Sequence, residues 1–430
     1  MKQYFHGHGS AEPISLEYLA ASLAQAGYTY AYLSNNEFEV SKAGSHKTIS
    51  LLTGHTSEWP TVLKLAENAK ARNSITIVGG YHVSAKFNEI EDNCIDFLVV
   101  GEGEFAVVDI ARRVIDGSQN IYEPCDKPTI TKAPVILDLD SIPSPVRDFE
   151  FLNRYKLYDL MWPSPSRQEN VAIVLASRGC RYDCDFCASV SVWGKGVRLR
   201  SPDKVVEELM DLKTRFGTNT IVFIDQSFGQ DTDWTINLCN SIKQAELGIS
   251  WYHQSNLDIH RDVLEAMAQA GCTKIGFGLE GITEKAVERI KNQNISDFAT
   301  INSIFDYCNA LGMLVKAYLI IGYPWETELD ILEFKENIQK IRANEIKISF
   351  FTPFPGTRDW DKYNDSLITH EWENFDTVQM PVVFNPHITV GRYHEVRQEL
   401  FHAFYGSEAY NDVTGKMLRL KPEYEQSARL

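Results

Sequence analysis

An apolar, β-branched run, Val171-Ala-Ile-Val-Leu-Ala176, passes almost directly into three cysteines, Cys180, Cys184 and Cys187. Such a run reads as a buried parallel strand. The loop leaving the carboxyl end of a parallel strand is where α/β folds place their chemistry. In a C-x3-C-x2-C spacing, three thiolates on one short loop can hold three corners of an iron–sulfur cube and leave the fourth iron open. A four-cysteine electron-transfer cluster has every iron capped by protein. A zinc site needs a fourth Cys or His within reach, and the paired C-x2-C spacing is missing. Three unrelated buried thiols are the remaining alternative.

The cysteine spacing and the aromatic Phe186 before the last cysteine resemble the radical S-adenosylmethionine (SAM) superfamily. The resemblance implies a 4Fe-4S cluster on Cys180, Cys184 and Cys187, with the open iron chelated by the amino and carboxylate groups of SAM. One electron then splits the sulfonium to methionine and a 5′-deoxyadenosyl radical. Phe186 is implied to lie against the adenine.

A chain of 430 residues exceeds one ordinary core, so two domains or more are expected. The formal net charge of −16 argues against a nucleic-acid partner. No long apolar span and no amino-terminal signal are visible, so no membrane association is expected. Eight cysteines in this length are not a disulfide framework. Cys94, Cys125, Cys239, Cys272 and Cys308 read as small buried apolar residues. Reduced thiols and an oxygen-labile cluster point to the cytoplasm.

The fold class expected is α/β: an amino-terminal doubly wound, Rossmann-like domain, then a partial (β/α)6 barrel and a carboxyl-terminal helical segment. The divisions are 1–130, a proline-rich linker over 131–168, 169–360 and 361–430. In the first part, Lys2–Phe5, Tyr28–Leu33, Thr48–Thr53, Ile75–Val78 and Phe97–Val100 read as strands, with helices over Ser15–Ala26 and Trp59–Arg72. The chain turns irregular from about Thr129. The landmarks Gly79-Gly80-Tyr81-His82 and Gly101-Glu102-Gly103-Glu104 resemble the cobalamin-binding domain of one large radical-SAM class. That likeness implies a corrin across loops holding Thr53, His55, Gly79, Gly80, His82, Gly101 and Glu102. His6 keeps the H-x-x-G of cobalt-ligating relatives, but Tyr4 stands where they carry aspartate. Without that orienting carboxylate, His6 reads as a loop histidine.

Six βα units follow, each strand ending in a polar cluster on the active face of such a barrel. By resemblance, Asp225 and Gln226 reach the methionine end of SAM, Gln254, Ser255 and Asn256 the ribose, and Glu280 stands on the next strand end. Ile321 and Gly322 resemble the strand whose backbone pairs with adenine. Glu326 reads as the cap of the following helix. A helix over Tyr393–Tyr405 lies near the substrate entrance of relatives, and Tyr393 reads as a packing residue.

The expected activity is cobalamin-dependent methylation of an unactivated carbon of a small molecule in specialised metabolism, with reductant from a flavodoxin or ferredoxin. The alternative is a non-methylating radical SAM enzyme, with or without cobalamin, that cyclises, rearranges, dehydrates or epimerises. Its epimerising form needs a hydrogen donor such as Cys272 or Cys308. A non-catalytic cobalamin or metal sensor is the third reading, and it predicts no SAM cleavage.

Overall fold

The computed structural model describes residues 13–31, 48–115, 127–147, 170–290 and 297–420. His6 and the expected strand Lys2–Phe5 lie outside them. Among the described residues, β1 (Ile49–Thr53), β2 (Ile75–Gly79), β3 (Phe97–Val100) and β4 (Thr129–Lys132) form one parallel sheet in the order β1-β2-β3-β4. Alternate side chains of a strand point to opposite faces, and here both faces are apolar. Ile77, Phe97 and Val99 pack under helices Ile14–Gln25 and Glu104–Ile115 through Leu23, Val107 and Ile110. Leu52, Val78 and Leu98 pack under helix Trp59–Lys70 through Trp59, Val62 and Leu65.

Two expectations change here. Thr129-Ile-Thr-Lys132 is a fourth strand rather than the start of the linker, and it is mostly exposed, an edge strand with no apolar face to announce it. Residues 28–31 form no strand, and the remainder of Tyr28–Leu33 lies outside the described residues.

In the second half, β5 (Val171–Val174) leads into a short antiparallel pair, β6 (Ser177–Arg178) and β7 (Arg198–Leu199). Then come β8 (Thr220–Phe223), β9 (Ser250–Ser255), β10 (Cys272–Glu280), β11 (Leu314–Ile321) and β12 (Glu345–Phe350). These join β5 in a six-stranded, all-parallel sheet of order β5-β8-β9-β10-β11-β12. The intervening helices begin where side chains can cap them: Asp231, Asp297, Thr327, Thr357 and Thr389 each accept a backbone N–H three residues on. The periodicity reading singles out neither Thr232–Gln244 nor Glu408–Leu420, both helical.

The outer face of this sheet is a continuous apolar core with the helices, including Ile275, Phe277, Val315 and Leu319. Its inner face is divided. On β5 and β8 it is apolar, where Ile173 and Val222 pack against Ile14, Tyr18, Ile136 and Leu139. On β9–β12 it is polar: Lys274 and Lys316 both pair with Glu345, and the Tyr252 and Tyr318 hydroxyls are hydrogen-bonded. Gly276 makes room for that tyrosine pair, since a Cβ there would lie 2.6 Å from the Tyr318 ring.

Candidate active site

The chain leaves β5 through Ala176 and Ser177, and Asp225 fixes this departure. Its carboxylate accepts the Ala176 N–H at 3.2 Å and the Ser177 hydroxyl. The group is 4% exposed, and burial pushes it up to about 6. Gly179 follows with φ +87, and a Cβ on it would stand 2.1 Å from the Gly196 carbonyl oxygen, so no other residue fits. The Gln226 side chain accepts the Gly179 N–H at 2.8 Å, and Gln230 accepts the Arg181 N–H at 2.8 Å. The Gln230 amide also lies 3.6 Å from Cys180 Sγ. From beyond β12, Arg358 reaches back to Asp185 at 2.6 Å and to Asp183 at 3.0 Å. Sequence reasoning missed Gln230 and Arg358. Gln230 sits near the expected strand end of Asp225, whereas Arg358 carried no signal.

Cys180, Cys184 and Cys187 are half-buried and unbridged. The Cys187 thiol donates to Ser189 Oγ at 3.2 Å. Among the described residues, no group of three or more His, Cys, Asp or Glu gathers as a site for a metal ion. Three soft thiols spread along one turn beside a cavity are a donor set suited to separate irons of a cluster rather than to a single cation.

That cavity, of about 270 Å³, opens at the carboxyl ends of the strands. Phe186, Gln226, Gln254, Ser255 and Glu280 line it together with Tyr318, Ser349 and Thr377. The Ser255 hydroxyl donates to the Phe228 carbonyl at 2.7 Å. Glu280 has φ +58, a costly conformation for a residue with a side chain. Burial pushes its carboxyl up to about 7. Gly278 leaves it space, since a Cβ there would lie 2.4 Å from Glu280 Oε1.

Three expected residues do not line this cavity. Asp225 is turned back to the loop's start. Ile321 is fully buried and its carbonyl accepts the Phe351 N–H at 2.7 Å, while its neighbour Ile320 faces the cavity. The Gly322 N–H is taken by Glu326 at 2.7 Å. Glu326 is no helix cap either. Thr327 caps that helix and closes a box with Asp330, whereas the buried Glu326 carboxyl accepts the Tyr393 hydroxyl at 2.8 Å. Burial pushes Glu326 up to about 7.

A second cavity, of about 140 Å³, lies at the carboxyl ends of β1–β3, lined by Thr53, His55, Gly79, Gly80, Gly101 and Glu102 over Leu52, Ile77 and Val99. Gly80 has φ +103, and a Cβ on it would meet Thr53 Oγ1 at 2.7 Å and the Gly54 carbonyl at 2.9 Å. Bare backbone beside an apolar floor suits the close approach of a broad, apolar-faced ring. His82 is absent from this lining. It is buried against Trp59 at 4.6 Å and Trp372 at 4.9 Å, and burial lowers it to about 4. Glu102 touches the cavity, but its carboxylate is occupied by Arg178 at 2.8 Å, Arg198 at 2.6 Å and the Ile136 N–H at 2.7 Å.

Of the other thiols, Cys94, Cys239, Cys272 and Cys308 are buried, and Cys125 lies outside the described residues. Cys272 and Cys308 belong to the core beneath the helices and not to the cavity, which removes the hydrogen donor suggested for an epimerising enzyme. No helix among the described residues is long and apolar enough to cross a membrane.

Comparison with known proteins bears on both halves. The model of the radical SAM superfamily matches residues 174–360. An uncharacterized methyltransferase of Pyrococcus horikoshii, PH0819, is 28% identical over 357 residues, covering 80% of this chain and 75% of that protein. The anaerobic magnesium-protoporphyrin IX monomethyl ester cyclase of Cereibacter sphaeroides is 23% identical, covering 93% of this chain and 68% of its own length. Among solved structures, the radical S-adenosylmethionine methyltransferase TsrM from Kitasatospora setae, with cobalamin and a 4Fe-4S cluster bound, superposes with a TM-score of 0.68. It is 14% identical, and the match covers 91% of this chain and 86% of that one. At that identity the likeness is one of fold.

Proposed function

The chain belongs to the radical SAM superfamily, in the class with an amino-terminal cobalamin-binding-type domain, and from that premise we propose that it methylates an unactivated carbon of a small molecule. One observation carries the reading. The segment that carries three unbridged thiols lends Phe186 to the polar cavity of the barrel, and the helix that follows it lends Val192 and Trp193 to the glycine-walled cavity of the preceding sheet.

When bound, the cluster with SAM supplies hydrogen abstraction and cobalamin supplies the methyl group. Cys180, Cys184 and Cys187 hold the cluster, and Asp225, Gln226 and Gln230 hold their loop. Phe186, Gln226, Gln254, Ser255 and Glu280 wall the SAM site. The Glu280 carboxyl, pushed up to about 7 by burial, ionises readily beside a cationic group and so favours one. Tyr323, Phe351 and Phe354, packed together with Phe186, keep water from the reacting face. Thr53, His55, Gly79, Gly80 and Gly101 form the corrin site. A flavodoxin- or ferredoxin-type donor provides electrons, in a cytoplasm reducing enough to keep the thiols free.

The test is anaerobic reconstitution with iron, sulfide and hydroxocobalamin, followed by SAM carrying a labelled methyl group and a strong reductant. Iron, bound corrin and label in the corrin methyl are expected, and Cys184→Ala loses iron and SAM cleavage together. Protein that binds no corrin yet still forms 5′-deoxyadenosine favours the second reading, a non-methylating ring-forming enzyme, which the cyclase relative matched along 93% of this chain supports.

A further inference from the structure

We infer that the loops walling the amino-terminal cavity and the two ends of the three-cysteine loop form one clamp, with Tyr81, Glu102, Arg178 and Trp193 as its positioning residues, so that filling either site changes affinity at the other. The inference rests on the reading that these sites take cobalamin and a cluster.

The first jaw is electrostatic. Glu102, on the loop after β3, and Glu104, which opens the following helix, both reach Arg178, which stands two residues before Cys180. Glu102 also holds Arg198 on the strand paired with it. The Arg178 guanidinium is sandwiched between the Tyr18 ring at 5.1 Å and the Trp193 ring at 5.0 Å. The second jaw starts at the loop after β2. Tyr81 follows Gly80, stacks on His55 at 5.0 Å, and accepts the Trp193 indole N–H at 2.8 Å. Trp193 ends the short helix Ser189–Trp193 that follows Cys187, and Ser189 accepts the Cys187 thiol proton. The loops after β3 and β2 are therefore fastened to opposite ends of the cysteine loop.

Buried ion pairs add little net stability but resist displacement, because a shifted partner leaves an uncompensated charge. A ring settling against Gly80 and Gly101 thus constrains Arg178 and Trp193, and a cluster ordering the cysteines constrains the ring's site. Such coupling is reciprocal.

The experiment titrates hydroxocobalamin into iron-free and cluster-loaded full-length protein, following visible absorbance. In the wild type, the loaded protein is expected to bind at least about fivefold tighter. In Trp193→Phe and Tyr81→Phe, both of which break the Trp193–Tyr81 hydrogen bond, that ratio falls toward one. The reduced cluster's electron paramagnetic resonance signal shifts on corrin addition in the wild type and not in these variants. Circular dichroism melting establishes that both variants fold. Equal affinity of iron-free and loaded wild type overturns the clamp and leaves the cobalamin reading standing. An unchanged ratio in both variants overturns the assignment of its residues. No corrin binding in either form overturns both the clamp and the function it rests on.

Discussion

A carboxyl group's neighbours decide what it does, and this chain offers three outcomes at strand ends. Asp225 faces back and holds a loop, Glu280 faces the cavity with its charge suppressed, and Glu326 joins a loop to the helix Val390–Tyr405 through Tyr393. For Glu326 the folded carboxyl is raised from the ordinary 4.5 to about 7, so the folded chain holds its proton more tightly than the unfolded one. Its contribution is therefore full below the unfolded value and is lost as pH rises through about 7, amounting to roughly 3 kcal/mol. Glu326→Gln cannot ionise, so its denaturant midpoint should vary less than wild type between about pH 5 and about pH 8. Parallel pH profiles for the two proteins would rule out this account of Glu326.

At the level of elements, the strand-to-loop junctions were legible and the directions of their side chains were not. The run Val171–Ala176 announced β5, and the polar clusters announced the ends of β8, β9 and β10, because apolar periodicity and turn residues are local signals. Whether Asp225 turns inward or back depends on Ser177, 48 residues away in sequence, and the partners of Glu102 lie 76 and 96 residues on. No local pattern records such pairings. The same holds for β4, whose exposed Thr-Ile-Thr-Lys segment lacks an apolar face, and for Arg358, which ties the cysteine loop from the far end of the barrel. Arg358 and its aspartates are partly exposed, so Arg358→Ala should cost under about 1 kcal/mol of stability. It should nonetheless speed iron loss to a chelator, because Asp183 and Asp185 flank Cys184. Iron release at the wild-type rate would leave Arg358 a surface ornament.

Across the whole molecule, buried charge joins what the backbone separates. Glu208 takes both Arg147 at 2.7 Å and Arg200 at 2.6 Å, and Arg147 stands 3.5 Å from Glu17 of the first described helix. With the Glu102–Arg178 contacts, this binds the four-stranded sheet and its helices to the barrel. Glu208→Gln should cost roughly 3–5 kcal/mol by leaving two guanidinium groups undercompensated. The loss should appear in fluorescence and circular dichroism at one shared midpoint, and a separate early transition would mean that the two sheets unfold independently. The thiols are distributed with the opposite logic. Cys239 and Cys308 are sealed in the core and pushed up to about 12, while three half-buried sulfurs sit together on one loop. Air therefore meets little reactive sulfur elsewhere among the described residues: oxidation that begins on this loop leaves their buried thiols untouched, and a thiol reductant with fresh iron and sulfide should re-arm the chain.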